Sequence, residues 1–135
     1  MMHLVAVFAL ALLLGGMIFF AAVVAPLVFT RLPAEHAGRF IRAFFPVYYL
    51  YVLISSMVAA VALVPRWEGL AMGVVAALTL VLRQWLMPLI NRYSDAAQAG
   101  DTVAKRRFDR AHQLSVTVNV AQIVVAGTVL ARFAA

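Results

Sequence analysis

The sequence predicts an all-α fold, an integral membrane four-helix bundle with both termini on the non-cytoplasmic side, and three observations carry that expectation. Of 135 residues, 66% are hydrophobic and only 12% are charged, a balance outside the range of water-soluble domains. At least three stretches reach the ~20 apolar residues needed to cross a ~30 Å hydrocarbon core and contain no acid. The basic residues flank these stretches instead of forming an isolated patch, so the formal charge of +6 reads as a topology signal and no nucleic-acid partner is expected. With no cysteine, disulfides, thiolate metal sites and thiol nucleophiles are excluded.

The chain divides into four spans within a single transmembrane domain, residues 1–135. The first helix runs from about His3 to Arg31. Met1-Met2-His3 carries no Lys or Arg, and the apolar run from Leu4 to Thr30 is too long for the core of a signal peptide, so it is kept as a span. Its Gly15-Gly16 pair permits close approach by a neighbour. Pro33 suits the first position of the second helix, residues 33–64, and Glu35 complements the positive end of its macrodipole. Pro65-Arg66-Trp67-Glu68-Gly69 then reads as a tight turn with an interfacial aromatic. The third helix covers 70–92, with Gly73 and Ala77 spaced as a small-residue contact, and Tyr93 to Gly100 is expected as a loop. Asp101 or Thr102 caps the fourth helix, 102–132.

Orientation follows from the Lys and Arg count on each face. Arg31, Arg39, Arg42, Arg92, Lys105, Arg106, Arg107 and Arg110 lie at the first and third connections; Arg66 and Arg132 lie opposite, and Arg83 falls inside a span. Eight against two makes the first and third connections cytoplasmic, in a multi-pass protein of the cell membrane, with a bacterial inner membrane expected.

Functional residues are sought among the polar groups that a bilayer makes costly. His112, Ser115, Asn119 and Gln122 are spaced three, four and three apart, so they share one side of the fourth helix. Facing lipid, they would leave donors and acceptors unsatisfied, so the stripe is expected to face inward, either as interhelical hydrogen-bond glue or as the wall of a ligand site. Arg83 sits roughly 13 Å deeper than Arg92 at the helical rise, with no acid in the spans to neutralise it. It either snorkels to the interface or meets backbone and amide groups, a lipid phosphate or an anionic ligand. Pro26, Pro46 and Pro88 fall at one depth in the first three helices and release the carbonyls of Ala22, Arg42 and Gln84. They either shape the bundle end or splay it.

His3 and His112 begin their spans from opposite faces, whereas His36 and His112 share a side, so these two are the candidate metal or haem ligands. No Walker loop, nucleotide fingerprint, serine elbow or zinc-protease motif is present.

Several segments carry a family resemblance: His3-Leu4-Val5, Gly15-Gly16, Phe29-Thr30-Arg31-Leu32-Pro33, Gly38, Phe44-Phe45-Pro46-Val47-Tyr48-Tyr49, Trp85-Leu86 with Pro88, and Phe108-x-Arg110-x-His112-x-Leu114-Ser115 with Asn119. Together, over nearly the whole chain, they resemble the transmembrane protein 205 family, whose bacterial members are grouped as a domain of unknown function. The most specific parts are Phe-Phe-Pro-x-Tyr and Arg-x-His-x-Leu-Ser-x-x-x-Asn. The third connection is shorter than in the eukaryotic pattern, an arginine stands two residues before the tryptophan, and His36 is one position off, so no role passes to Arg83. The resemblance implies a four-helix membrane bundle whose eukaryotic member is associated with drug resistance and vesicular traffic, without a settled biochemical activity.

The leading expectation is a non-enzymatic protein that binds, or transports, a small or amphipathic ligand in a polar intramembrane site formed by His112, Ser115, Asn119, Gln122, Arg83 and Tyr48. Alternating access usually needs two related halves, and the chain has no internal repeat, so transport implies a homo-oligomer. The alternatives are a haem-binding membrane cytochrome or oxidoreductase and a structural subunit of a membrane complex.

Overall fold

In hydrocarbon, a chain with only short polar turns satisfies its backbone by hydrogen bonding within each apolar run, that is, as helix. The computed structural model describes residues 1–134 and consists of four such helices. These are α1 (Met2–Arg31), α2 (Ala34–Ala62), α3 (Trp67–Gln98) and α4 (Thr102–Ala134). All four are long and apolar enough to cross a membrane. Only 22% to 33% of each helix's most apolar stretch is buried, so residues such as Phe8, Leu12, Leu27, Leu70 and Trp85 face outward. An apolar exterior of that extent does not suit water; the protein is a multi-pass membrane bundle.

The helices pack in a ring, α1 on α2, α2 on α3, α3 on α4, and α4 back on α1. Leu10, Leu13 and Met17 of α1, Val52 of α2, Met72 of α3 and Val129 of α4 fill the centre. Two close approaches fall at glycines, one to backbone and one to a side chain. A Cβ on Gly69 would lie 2.9 Å from the Ala60 carbonyl oxygen and 3.0 Å from the Leu63 carbonyl carbon, both backbone atoms of the α2–α3 hairpin. A Cβ on Gly16 would lie 2.5 Å from the Tyr51 ring, whose hydroxyl donates to the Leu12 carbonyl. Gly15 and Gly73 have nothing within 4 Å of where a Cβ would sit, and Ala77 is exposed, so the expected Gly73/Ala77 contact is not made within this chain.

The boundaries of α3 differ from expectation at both ends. Arg66, in an extended conformation, caps a helix that starts at Trp67, three residues early, because Glu68 in its first turn favours the positive helix end. At the other end α3 continues through Tyr93 to Gln98, where a loop was expected. Gly100, at φ 100°, stops it: the Gly100 amide donates to the Ala97 carbonyl at 3.1 Å and the Asp101 amide to the Ala96 carbonyl at 3.1 Å. The polar composition of 93–98 marks the membrane interface and not the helix end. Asp101 then caps α4, its carboxylate accepting from the amides of Val103 at 2.9 Å and Ala104 at 3.0 Å. Asp101→Ala is expected to remove about 1 kcal/mol of stability, measured as a lower denaturant midpoint in micelles.

The prolines act in two ways. Pro26 and Pro88 each follow one π-helical turn, Phe20–Val24 in α1 and Leu82–Leu86 in α3. In each turn the amide reaches back five residues, Ala25 to Phe20 and Met87 to Leu82, which makes room for the ring that follows. Pro46 instead sits inside an uninterrupted α2. Beyond the π turns Ala25–Arg31 packs only lightly on α2, while Met87–Gln98 packs firmly on α4, with no substantial packing between those two segments. The end of the bundle that carries the first and third connections is splayed.

At the far end the two termini close on the second connection. Arg66 lies over the Phe133 ring at 5.2 Å, Arg132 over Trp67 at 5.0 Å, and His3 meets Phe133 edge-on at 5.2 Å. Glu68 is buried beside the Arg66 guanidinium at 3.4 Å.

Candidate functional site

The splayed, basic end encloses a cleft of about 830 Å³, within the range of small-molecule sites. Its walls come from all four helices. Ala21, Ala25 and Phe29 of α1 face Val116, Val120 and Ile123 of α4 across a gap where those helix segments have no substantial packing. The cleft therefore lies between these segments of α1 and α4, at the basic end of the bundle.

Ser115, Asn119 and Gln122 of the α4 stripe turn toward the other helices, while His112 at its shallow end is exposed. Ser115 is buried and shares a 3.1 Å hydrogen bond with the Tyr49 hydroxyl. Asn119 Nδ2 donates to the Tyr48 hydroxyl at 2.9 Å, and that hydroxyl lies 3.3 Å from Asn119 Oδ1. Gln122, one helical turn deeper, donates from Nε2 to Thr79 Oγ1 at 3.0 Å and to the Val75 carbonyl at 3.2 Å. Among the described residues no buried side-chain polar atom lacks a partner, which is the condition hydrocarbon imposes.

The six expected site residues divide by place. His112, Ser115 and Asn119 line the cleft. Tyr48 stands behind Asn119, and Gln122 joins α4 to α3 below the cleft floor, so its amide is occupied by interhelical bonding. Arg83 is not on the wall; its Nε approaches the Pro46 carbonyl oxygen at 3.4 Å, a weak bond to α2 backbone. The α4 stripe therefore serves in both of the ways its spacing allowed, as glue at its deep end and as cleft wall at its shallow end.

The two candidate haem or metal ligands are engaged separately. His112 is exposed to the cleft and stacks on Phe108 with ring centres 5.7 Å apart and planes 5° from parallel. His36 lies outside the cleft wall and accepts at Nδ1 from Arg39 Nη2 at 3.2 Å. No group of three or more His, Asp or Glu side chains suited to a metal occurs among the described residues.

Further residues complete the site. Phe20, Phe45 and Tyr49 line the cleft and belong to an aromatic cluster with Phe44 and the expected Tyr48 behind them, Phe20 and Phe44 stacking at 4.8 Å. The only earlier sign was the run Phe44-Phe45-Pro46-Val47-Tyr48-Tyr49, which puts two pairs of rings one helical turn apart. At the mouth Arg42 Nη2 meets Asp95 Oδ1 at 2.7 Å, and its Nη2 also approaches the Asn91 carbonyl at 3.3 Å, linking α2 to α3. Beside it Arg39 pairs with Glu35 at 3.5 Å along α2.

Fold and cleft together define a four-helix bundle of membrane-spanning length with a cavity at its splayed end. The sequence profile of a family described as Domain of unknown function (DUF4149) matches residues 8–99, and the chain belongs to that family. The matched residues cover most of α1 and all of α2, and end just after α3, so the α4 wall lies beyond them. No curated protein and no solved structure matches the chain.

Proposed function

We propose that the cleft binds an amphipathic ligand, its apolar part held between α1 and α4 and its polar part at the charged mouth. One observation carries this reading: a cavity of about 830 Å³ has mostly apolar walls, polar side chains on α4 (His112, Ser115, Asn119) and on α3 toward the mouth (Asn91, Ser94, Gln98), and two ion pairs at its rim. Such a gradient from apolar interior to charged edge matches a molecule that is itself amphipathic. Ser115 and Asn119 are already bonded to tyrosines, so they would accept a ligand through remaining lone pairs and N–H groups. Among the described residues His112 makes no side-chain hydrogen bond, stacks on Phe108 and is exposed in the cleft, so it is available to a ligand. Tyr48 holds Asn119 in place, while Gln122 and Arg83 are assigned to holding the bundle.

The basic connections belong on the cytoplasmic face, by the eight-to-two distribution of Lys and Arg, with both termini outside, in a bacterial inner membrane. The resemblance to the transmembrane protein 205 family extends this reading to its members. If the ligand is carried across, the absence of an internal repeat requires a homo-oligomer.

Titrating purified protein in micelles with a fluorescent NBD-labelled lysophosphatidylethanolamine tests the site. Ala25→Trp and Val120→Trp, which fill the cleft from opposite walls, are expected to weaken probe binding at least about tenfold, or ~1.4 kcal/mol. Val74→Trp, at an exposed position on the bundle exterior, is expected to leave it unchanged. Equal binding by all three monodisperse variants would overturn the site.

A further inference from the structure

We infer that the occupant of the cleft is a zwitterionic phospholipid, its phosphate bound by Arg42 and Arg39 and its ammonium by Asp95 and Glu35. This inference rests on the amphipathic-ligand reading above and adds the headgroup. Four charged side chains line the cleft, two guanidiniums and two carboxylates, and their formal charges cancel. The other basic residues of this end, Arg31, Arg92, Lys105, Arg106, Arg107 and Arg110, are not in the wall. The local balance is therefore a property of the mouth and not of the protein, which carries +6.

Each class of headgroup meets that mouth differently. A purely anionic headgroup meets the arginines but also two carboxylates within 2.7 and 3.5 Å of them. A cationic headgroup meets the reverse conflict. An uncharged one leaves both ion pairs intact and gains little from them. A headgroup with phosphate and ammonium a few bonds apart places one charge on each member of the Arg42–Asp95 pair. Both side chains of that pair are partly exposed, 43% and 60%, so it is open to exchange; solvated ion pairs of this kind are individually weak. Guanidinium groups bind phosphate oxygens through paired N–H donors, a geometry a lysine would not supply. Below the rim the acyl chains enter the gap between α1 and α4, where Ala25 and Phe29 face Val116 and Val120.

The test uses the full chain in mixed micelles, with the NBD probe displaced by unlabelled dioleoylphosphatidylethanolamine, dioleoylphosphatidylglycerol, dioleoylglycerol or soluble O-phosphoethanolamine. The zwitterionic lipid is expected to displace the probe at least about tenfold more effectively than each of the others. Asp95→Asn and Glu35→Gln, both near-isosteric, should erase its advantage over the anionic lipid. Arg42→Gln should bring both phospholipids down to the level of dioleoylglycerol, while Lys105→Ala, outside the wall, leaves the ranking unchanged. Equal competition by dioleoylglycerol, or preference for the anionic lipid in the unmodified protein, would overturn the headgroup assignment while leaving the cleft itself supported. Displacement by O-phosphoethanolamine alone at matched concentration would identify a soluble phosphate ester as the ligand and overturn the lipid. Probe binding that persists in Ala25→Trp would instead remove the cleft reading on which this one stands.

Discussion

Gly69→Ala is expected to destabilise the bundle by about 1–3 kcal/mol, the range for overpacking a tight contact. One added carbon is enough, because it would sit 2.9 Å from the Ala60 carbonyl oxygen and 3.0 Å from the Leu63 carbonyl carbon, and neither can swing aside. The α2–α3 hairpin must open or its helices must shift. Gly15→Ala supplies the comparison: nothing lies within 4 Å of the new methyl, so stability should be unchanged or slightly higher. Unfolding midpoints of the two variants in the same micelles measure the difference. Equal midpoints would show that the close approach of α2 and α3 is not required.

Tyr48→Phe is the second large effect. The lost hydroxyl is the recorded partner of both the oxygen and the nitrogen of the Asn119 amide, leaving a half-buried polar group without protein bonds. Orphaning such a group costs about 1–3 kcal/mol, more than the bond itself contributes. Replacing both partners, as Tyr48→Phe with Asn119→Leu, should therefore recover part of the loss although it removes more polar atoms. If Asn119 faced lipid instead, Tyr48→Phe would be nearly silent. Unfolding of the two single variants and the double variant completes the cycle.

Much of the architecture was legible because hydrocarbon leaves few choices. Apolar runs of span length had to be helices, and the polar stripe on α4 turns inward over its deep part, where Ser115 and Gln122 are buried and Asn119 is bonded to Tyr48, while His112 at the shallow end is exposed. The cap at Asp101 was also legible, since it depends on residues next to each other. The end of α3 was misread because polarity was taken to end a helix, whereas Gly100 was the signal that mattered. The mouth was not legible at all: Arg42 and Asp95 meet across two helices, and nothing local to either marks the other. Facing was obscured further by the π turns at Phe20–Val24 and Leu82–Leu86. One extra residue in a turn rotates everything after it by roughly 100°, so a constant helical period assigns wrong faces beyond Val24 and Leu86.

The gap between α1 and α4 affects how affinity must be expressed. A molecule entering through it comes from a two-dimensional reservoir, so occupancy follows its mole fraction among the surrounding amphiphiles and not its aqueous molarity. Adding detergent dilutes that reservoir without changing any contact, and a titration repeated at twice the micelle concentration should shift its midpoint in proportion. Solutes confined to water would show no such shift.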